Sequence, residues 1–374
     1  MGRQPKMKVL IITVRADFGG GPEHIFKLTK HLLKDFDFYF AAPDDYPYYQ
    51  RYSDLVGKNN LIKIPHRKFK IKALIDLRKF IFINKINIIH SHGKGAGIYS
   101  RILRMLTTRK IVHTFHGLHI GEYKGTLRFL YLLIERFLAY FTDVFINVSQ
   151  SEKKLLSKHI VSQKAKLRVI HNGIEIPLRT VIPDVFDQSP RIVLTFSRFD
   201  YSKHTEMIIE IMMHLKNLNR IEKFSFIILG SGPDEEKIKK LVQANNLNDY
   251  ITFPGSVLDT KEFILNSFCY LSTSRWEGMP LGVLEAFSVG LPVIASNVVG
   301  NRDVINHDVN GFLYDAKNPA DAAERICALA DNKEKWLLFS QNARSEAISK
   351  YDVNRMAEET KLLYSEILRE DKLI

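Results

Sequence analysis

The chain of 374 residues is long enough for two domains that each bury a hydrophobic core. Hydrophobic residues make up 45% of the chain and charged residues 25%, which excludes a disordered protein, and its two cysteines exclude a disulfide-rich scaffold. The formal net charge of +13 is uneven, since residues 1–185 contain 32 Lys and Arg against 14 Asp and Glu, whereas the rest contains 22 against 27.

The first predicted element is a buried strand at residues 8–14, which follows a basic start. Its apolar run is short and has no small-residue cleavage site, which argues against a signal peptide. A membrane span needs ~18 apolar residues, and the richest candidate, residues 129–141, is interrupted by Glu135 and Arg136. We therefore expect a cytoplasmic protein.

Short β-branched runs alternate with helical stretches along the chain, a pattern typical of parallel α/β units. Helices are predicted at residues 23–34 and 126–141, among others. The strands predicted in the first half are residues 8–14, 36–42, 61–65, 87–92, 110–116, 143–149 and 167–173.

Residues 178–190 interrupt this pattern and contain Pro183 and Pro190, which indicates a linker. A second series of strands follows at residues 191–197, 224–230, 251–255, 269–274, 292–296 and 311–315, and the chain is helical after Lys317. The pattern predicts two successive α/β domains with a cleft between them. Ligands of such sheets bind beyond the carboxyl ends of the strands, so the loops that follow the strands are the places to look for chemistry.

Two features of this kind lie in the first half. Gly19, Gly20 and Gly21 follow the first strand; they do not match the GxGxxG fingerprint, but they would allow close approach of a diphosphate or an acceptor. His116 ends a strand before a glycine and would face the cleft. From the residue alone, a structural role for His116 remains open.

Two more features open the second half. Arg198 and Lys203 lie in the loop after a strand, where a guanidinium fork and an ammonium would suit a diphosphate. Ordinary surface charge is the alternative. Gly230 and Gly232, in GSGP, follow the next strand and permit either close ligand approach or a plain turn.

The segment SRWEGMPLGVLEAFSVG, residues 274–290, carries the most information. Its Gly-Met-Pro turn opens a predicted helix whose first N–H groups and dipole suit a phosphate. Glu277 precedes the helix and Glu285 lies about one turn inside it, and a carboxylate suits vicinal hydroxyls of a sugar or ribose. A solvated glutamate and a favourable acid near a helix start remain the alternative.

Other chemistries are set aside. The chain has no HExxH, GxSxG or Walker loop, and its DFD at residues 35–37 precedes a strand, so a surface turn is predicted there instead of a metal site. No metal and no cofactor are expected. Nucleic acid is not an expected partner, because no helix-turn-helix, zinc-finger or RNP motif accompanies the positive charge.

Six segments, spread over nearly the whole chain, resemble the motifs of family 4 of the retaining glycosyltransferases. In chain order they are the glycine loop, HTFHG, HNGI, SRF with its lysine, GSGP and EGMPLGVLE. The resemblance implies a GT-B fold, that is, two Rossmann-like, doubly wound domains facing a cleft. It implies an N-terminal acceptor domain at residues 1–183 and a C-terminal donor domain at 190–350. A last helix at 351–374 would cross back to the first domain.

Carried over by position, the resemblance assigns Arg198 and Lys203 to the donor diphosphate, Glu285 to the ribose and Glu277 to the donor sugar. His116 would approach the sugar and joins Glu277, Arg198 and Lys203 as a catalytic candidate. The other donor contacts it implies are Gly20, Gly21, Gly230, Gly232, Gly278, Met279, Pro280 and Leu281. Ser197 and His204 depart from the family pattern, which has glycine before the arginine and often after the lysine.

The resemblance further implies transfer of a hexosyl residue with retention of configuration, from a UDP-sugar or alternatively GDP-mannose. The acceptor would be a glycan or lipid-linked molecule of bacterial polysaccharide or O-antigen assembly. Residues 77–86 and 101–110 mix cations with apolar residues, which predicts peripheral association with an anionic membrane, the inner face of the plasma membrane. A basic surface without a partner is the alternative.

Two rival functions fit the same resemblance. A UDP-sugar 2-epimerase of GT-B fold would need no acceptor. A non-catalytic nucleotide-sugar-binding or scaffold protein is the second, and the intact Glu277, Arg198 and Lys203 argue against it.

Overall fold

The computed structural model describes residues 6–118, 125–161 and 166–369. The chain divides into two compact units, of which the first combines Met1–Gly173 with Val353–Ile374 and the second is Ile174–Asp352. The outer limits predicted for the domains, residues 1 and 374, lie outside the described residues. Both units are parallel α/β structures, as the alternating pattern predicts.

The first unit is built on seven described strands. They are β1 (Met7–Thr13), β2 (Phe36–Ala42), β3 (Leu61–Lys63), β4 (Ile88–His92), β5 (Lys110–Thr114), β6 (Val144–Asn147) and β7 (Leu167–Val169). Within the described residues they form one parallel sheet in the order β3-β2-β1-β4-β5-β6-β7. Six of them fall within predicted runs, and β1 begins one residue before the predicted residues 8–14.

Helices cover both faces of this sheet. They are α1 (Gly20–Leu32), α2 (Tyr48–Val56), α3 (Ile71–Ile83), α4 (Lys94–Leu106), α5 (Gly125–Ala139) and α6 (Gln150–His159). Side chains of β1 alternate between two cores: Val9 and Ile11 pack with α1 and α2, whereas Leu10 and Ile12 pack with α3 and α4. A parallel strand buried on both faces needs an uninterrupted apolar run, which is what β1 has.

The second unit repeats the arrangement. Its strands are β8 (Arg191–Phe196), β9 (Phe224–Leu229), β10 (Ile251–Gly255), β11 (Cys269–Ser272), β12 (Val293–Ser296) and β13 (Gly311–Tyr314), all parallel in the order β10-β9-β8-β11-β12-β13. Its described helices, in chain order, are α7 (Asp184–Asp187), α8 (Glu206–Asn217), α9 (Glu235–Ala244), α10 (Lys261–Leu265), α11 (Leu281–Ser288), α12 (Val299–Arg302), α13 (Pro319–Ala330) and α14 (Lys333–Lys350).

The last helix, α15 (Val353–Arg369), belongs to the first unit. Its Tyr364 hydroxyl lies 2.6 Å from Nδ1 of His90, and its ring packs edge-on against Phe36. Gly173 lies so close to the start of α15 that a Cβ there would approach the Val353 Cα to 2.6 Å. The glycine of HNGI is therefore explained by helix packing.

The predicted linker at residues 178–190 is wrong for most of its length. It contains α7, its Val181 N–H donates to the Val289 carbonyl at 2.8 Å, and Val185 and Phe186 are buried against the second unit. The linker was predicted from Pro183 and Pro190, but the packing of the segment is determined by Val181, Val185 and Phe186. The contacts assign residues 174–190 to the second unit.

The order in which strands are added to the sheet reverses between β1 and β4 in the first unit and between β8 and β11 in the second. At such a switch point the loops after the two central strands diverge and leave a crevice. The loops after β8 and β11 carry the residues of the predicted donor site. In the described part of the chain, no helix has both the length and the apolar composition needed to cross a bilayer.

Candidate functional site

The loop after β8 is held in shape by Asp200. Its carboxylate accepts hydrogen bonds from the backbone N–H groups of Ser202 and Lys203, at 3.0 and 3.1 Å, and from the Ser202 hydroxyl. Arg198 contacts the same carboxylate at 2.7 Å. Burial would raise the pKa of Asp200, but the Ser202 hydrogen bond and the Arg198 charge outweigh it and the pKa is lowered. The loop therefore carries an ionised carboxylate that orients both predicted cations.

The two departures from the family pattern have different structural consequences. His204 has φ of 53°, a left-handed conformation that favours glycine and costs other residues energy. Ser197 continues the β8 pairing through its N–H to the Leu229 carbonyl, at 3.0 Å. Both residues are accommodated, and Arg198 and Lys203 stay in the loop.

Lys203 and Glu277 meet, although 74 positions separate them. Lys203 Nζ donates to Glu277 Oε1 at 2.5 Å, and the Ser274 hydroxyl donates to the same oxygen at 2.6 Å. The side chains are 27% and 12% exposed, so the pair is accessible to a ligand without being fully solvated. The sequence predicted both residues but not their pairing.

A small cavity of about 40 Å³ lies beside this pair, at the carboxyl ends of β8 and β11. Its walls include Ser197, Lys203, Thr273, Glu277 and Leu281. The structure thus brings together the loop after β8, the loop after β11 and the start of α11, as the sequence predicts.

Helix α11 begins at Leu281 after Pro280, and helix geometry leaves its first N–H groups without intrahelical acceptors. Glu285 lies at the fifth position of α11, and so just beyond the first turn. Burial first, and then the negative charges of Glu277 and Glu285, raise the pKa of the Tyr270 hydroxyl. The charges of Glu277 and Glu285 therefore both reach the Tyr270 hydroxyl, close to the N-terminus of α11.

The glycines of GSGP have a packing role. A Cβ on Gly230 would lie 1.9 Å from the Ser197 carbonyl oxygen, and one on Gly232 would lie 2.3 Å from the Phe199 carbonyl oxygen. Gly230 also has φ of 132°. These glycines let the loop after β9 pack against the loop that carries Arg198, and so they contribute to the shape of that loop.

In the first unit, α1 starts at Gly20 within the glycine loop. Arg15 makes two hydrogen bonds to Asp17, at 2.7 and 2.9 Å, and one to the Phe18 carbonyl. A Cβ on Gly21 would meet no atom within 4 Å. The predicted ligand-approach position at Gly21 therefore faces open space, whereas Arg15 braces the loop before it.

His116 belongs to a buried group of histidines. His116 Nε2 lies 2.9 Å from His92 Nδ1, and its ring packs edge-on against His24, with centroids 4.6 Å apart. Burial, reinforced by neighbouring histidines, lowers the pKa of His116 well below its usual value, and burial lowers the pKa of His24 to about 4. These imidazoles are neutral near pH 7.

Sequence reasoning missed His24, His90 and His92. The signal was present, since HSH ends β4 at the switch point of the first unit. It also missed Glu152, which is buried and accepts from the Gly117 N–H at 2.6 Å and the Val148 N–H at 2.8 Å. Glu152 thereby holds the residue that follows His116.

The nitrogen atoms of His24, His92 and His116 all lie within 4.8 Å of one another. Three imidazoles at this spacing are suitable ligands for zinc. His24 also has a side-chain hydrogen bond with Asn172, and the His92 ring packs against that of His90, with centroids 4.0 Å apart. This donor set is absent from the sequence prediction, which expected no metal.

Two family models match the chain. The model described as Glycosyltransferase Family 4 matches residues 18–177, and the one described as Glycosyl transferases group 1 matches residues 183–346. Together they span most of the two units.

Named relatives are similar over most of the chain. An Escherichia coli UDP-Gal:alpha-D-GlcNAc-diphosphoundecaprenol alpha-1,3-galactosyltransferase is 26% identical over 310 residues, covering 80% of each chain. The O-antigen biosynthesis glycosyltransferase WbnH of Escherichia coli is 22% identical, over 87% of this chain and 90% of its own. The solved structure of Anabaena Alr3699/HepE in complex with UDP and glucose superimposes with a TM-score of 0.82 at 17% identity, over 96% of this chain and all of the other.

Proposed function

The chain belongs to the group 1 glycosyltransferases with a family 4 N-terminal domain, and we propose that it is a retaining, metal-independent hexosyltransferase that uses a UDP-sugar. The proposed acceptor is a glycan or lipid-linked molecule of polysaccharide or O-antigen assembly. The paired Lys203 and Glu277, beside the start of α11, are the observation that carries this proposal.

A UDP-sugar is favoured as donor by two comparisons. The Escherichia coli relative carries UDP-Gal in its name, and the Anabaena structure contains UDP and glucose. In this chain we assign the diphosphate to Arg198, Lys203 and the N-terminus of α11. We assign the ribose hydroxyls to Glu285 and the sugar to Glu277.

The proposed reaction balances without an enzymic nucleophile. The bond between the anomeric carbon and the diphosphate oxygen breaks, and a bond from that carbon to the acceptor hydroxyl forms on the same face. The hydroxyl proton passes to the departing diphosphate. Negative charge builds up on that group, and Arg198, Lys203 and the N–H groups of α11 are placed in advance to stabilise it.

Glu277 is not needed as a base in this scheme. One of its oxygens already accepts from Lys203 and Ser274, and both Lys203 and Glu277 line the cavity. A carboxylate held in this way suits a sugar hydroxyl. We propose that His116, neutral and partly buried, contacts the donor sugar as a hydrogen-bonding group.

The lipid-linked acceptor is proposed from the names of the relatives and from charge. The Escherichia coli relative is named for a diphosphoundecaprenol acceptor. Residues 1–185 of this chain carry the excess of Lys and Arg counted above. Such an excess attracts an anionic membrane surface, so we propose peripheral association with the inner face of the plasma membrane.

Nucleotide binding tests the donor site. We expect UDP to raise the melting temperature more than GDP does, because a ligand that binds only the folded state stabilises it. Lys203→Ala and Glu285→Ala should each weaken UDP binding at least tenfold. Lys240→Ala, at an exposed lysine of α9, is the matched control and should bind UDP like the wild type.

Unchanged UDP binding in both Lys203→Ala and Glu285→Ala would contradict the site assignment. Conversion of a UDP-sugar to its 2-epimer without any acceptor would contradict the transferase proposal and favour the epimerase. Transfer from a radiolabelled UDP-hexose to a polyprenyl-diphosphate-linked sugar is the positive result.

A further inference from the structure

Helix α5 exposes apolar side chains that the proposed donor site does not use. Leu127, Phe129, Leu130, Leu133, Ile134 and Phe137 are between 48% and 68% exposed. The residues of α5 that are buried are Glu135, Leu138 and Ala139. A helix at a water-facing surface normally carries polar residues opposite such a narrow buried stripe. Here the opposite side is aliphatic and aromatic.

The charges on α5 are divided by sign. Its carboxylate, Glu135, is buried and pairs with Arg101 of α4 at 2.6 Å. Its two arginines, Arg128 and Arg136, are exposed. The exposed surface of α5 therefore combines apolar side chains with positive charge.

A pocket of about 280 Å³ lies at the C-terminal end of the same helix. Arg136 and Tyr140 line it from the α5 side, and Lys158, His159 and Lys166 line it from the side of α6. None of the described residues that line it is acidic. Burial, and then the positive charges of Lys158, Arg128 and Arg136, lower the pKa of His159. The pocket is thus a positive site next to an apolar surface.

We propose that this surface of α5, with the pocket at its end, docks on an anionic lipid bilayer, the pocket taking a lipid phosphate. The proposal rests on the membrane association proposed above and assigns that association to the exposed side of α5 and the adjoining pocket. Amphipathic helices of this kind lie in the plane of the interface, with apolar side chains among the acyl chains and cations at the headgroups. Phe129 and Phe137 would enter the bilayer, while Arg136 and Lys158 would bind phosphate.

Charge complementarity favours a bilayer over a second copy of this chain. The first half of the chain is strongly positive, so two copies would repel each other across this surface. The mixed segments predicted from the sequence, residues 77–86 and 101–110, are less suitable, because Leu77, Ile81 and Arg101 are fully buried. The structure thus shifts the membrane-facing element to α5.

Vesicle flotation at low salt tests the proposal. The full-length protein should float with phosphatidylglycerol vesicles and not with phosphatidylcholine vesicles. Phe129→Ser with Phe137→Ser should reduce flotation at least tenfold, and Arg136→Gln with Lys158→Gln should reduce it at least fivefold. Leu362→Ser is the control, because Leu362 is 61% exposed on α15 in the same unit.

The outcomes separate this proposal from the donor site. UDP should raise the melting temperature of all variants equally, since none touches Lys203 or Glu285. Wild-type flotation by the Phe129→Ser, Phe137→Ser protein would overturn the docking surface. A wild-type dimer that the same substitutions dissociate would overturn it too, because a second copy would then cover α5. Loss of the UDP response with intact flotation would count against the donor site alone.

Discussion

At the scale of single residues, the carboxylates near the donor site have different tasks. Asp200 orients the loop with Arg198 and Lys203, whereas Glu277 pairs directly with Lys203. The sequence motif identifies Glu277, since its spacing to Glu285 is specific. It does not identify Asp200, because an aspartate in a loop has no local signal that distinguishes a bracing carboxylate from a solvated one.

Gly21→Ala separates folding from ligand approach. A Cβ at Gly21 meets no neighbouring atom and alanine favours helices, so the melting temperature should stay equal or rise. If a ligand approaches this backbone, kcat/KM should fall at least tenfold. Full activity would contradict the assignment of Gly21.

Gly232→Ala is the opposing control. A Cβ there would lie 2.3 Å from the Phe199 carbonyl oxygen, so this variant should lose stability. Its melting temperature should therefore fall while that of Gly21→Ala does not. Equal melting temperatures for the two variants would show that the loop after β9 adjusts to the added methyl group.

Chelation tests the proposed metal independence at the histidine group. We expect dialysis against EDTA to leave transferase activity unchanged, because cations of the protein stabilise the leaving diphosphate. If activity disappears and zinc restores it, the three histidines are metal ligands and the proposal is wrong. A His24→Ala variant whose transferase activity zinc does not restore would support the same conclusion, that the histidines bind the metal.

At the scale of elements, a buried ion pair holds α5 on α4. The side chains of Arg101 and Glu135 are 0% and 4% exposed, and their atoms approach to 2.6 Å. Periodicity predicts α5 as a helix at residues 126–141, and the structure places it at Gly125–Ala139. The periodicity does not predict which side of α5 is buried, because apolar residues occur on nearly every side of this helix.

Arg101→Ala should destabilise the first unit by about 3–5 kcal/mol, since it leaves Glu135 buried without its partner. Urea denaturation followed by circular dichroism measures this loss. Arg101→Met with Glu135→Leu removes both charges and should recover most of it. Equal stability of wild type and Arg101→Ala would mean that water reaches Glu135.

At the scale of the whole molecule, buried histidines make stability depend on pH. Burial lowers the pKa of His24 to about 4 and that of His90 to about 3, while each would titrate near 6.5 when unfolded. Below pH 6.5 the unfolded chain therefore binds more protons, and stability falls as the pH falls toward 4. His24 alone would contribute about 3 kcal/mol of this loss at pH 4.

Calorimetry from pH 7.5 to pH 5 at constant salt checks this expectation. The melting temperature should fall steadily below pH 6.5. A His24→Gln variant should show a shallower fall, because it cannot take up that proton on unfolding. A melting temperature that does not change over this range would show that the histidines are hydrated in the folded protein.

The two parallel α/β units, all thirteen described strands and the loops that carry Arg198, Lys203 and Glu277 were predictable from the sequence. These features follow from local information, namely apolar runs and turn residues at strand ends. The Lys203–Glu277 pairing, the group of histidines around His116 and the exposed side of α5 became apparent only in the folded chain. Each of these depends on which distant segments pack together, and packing across a sheet leaves no periodic trace in the chain.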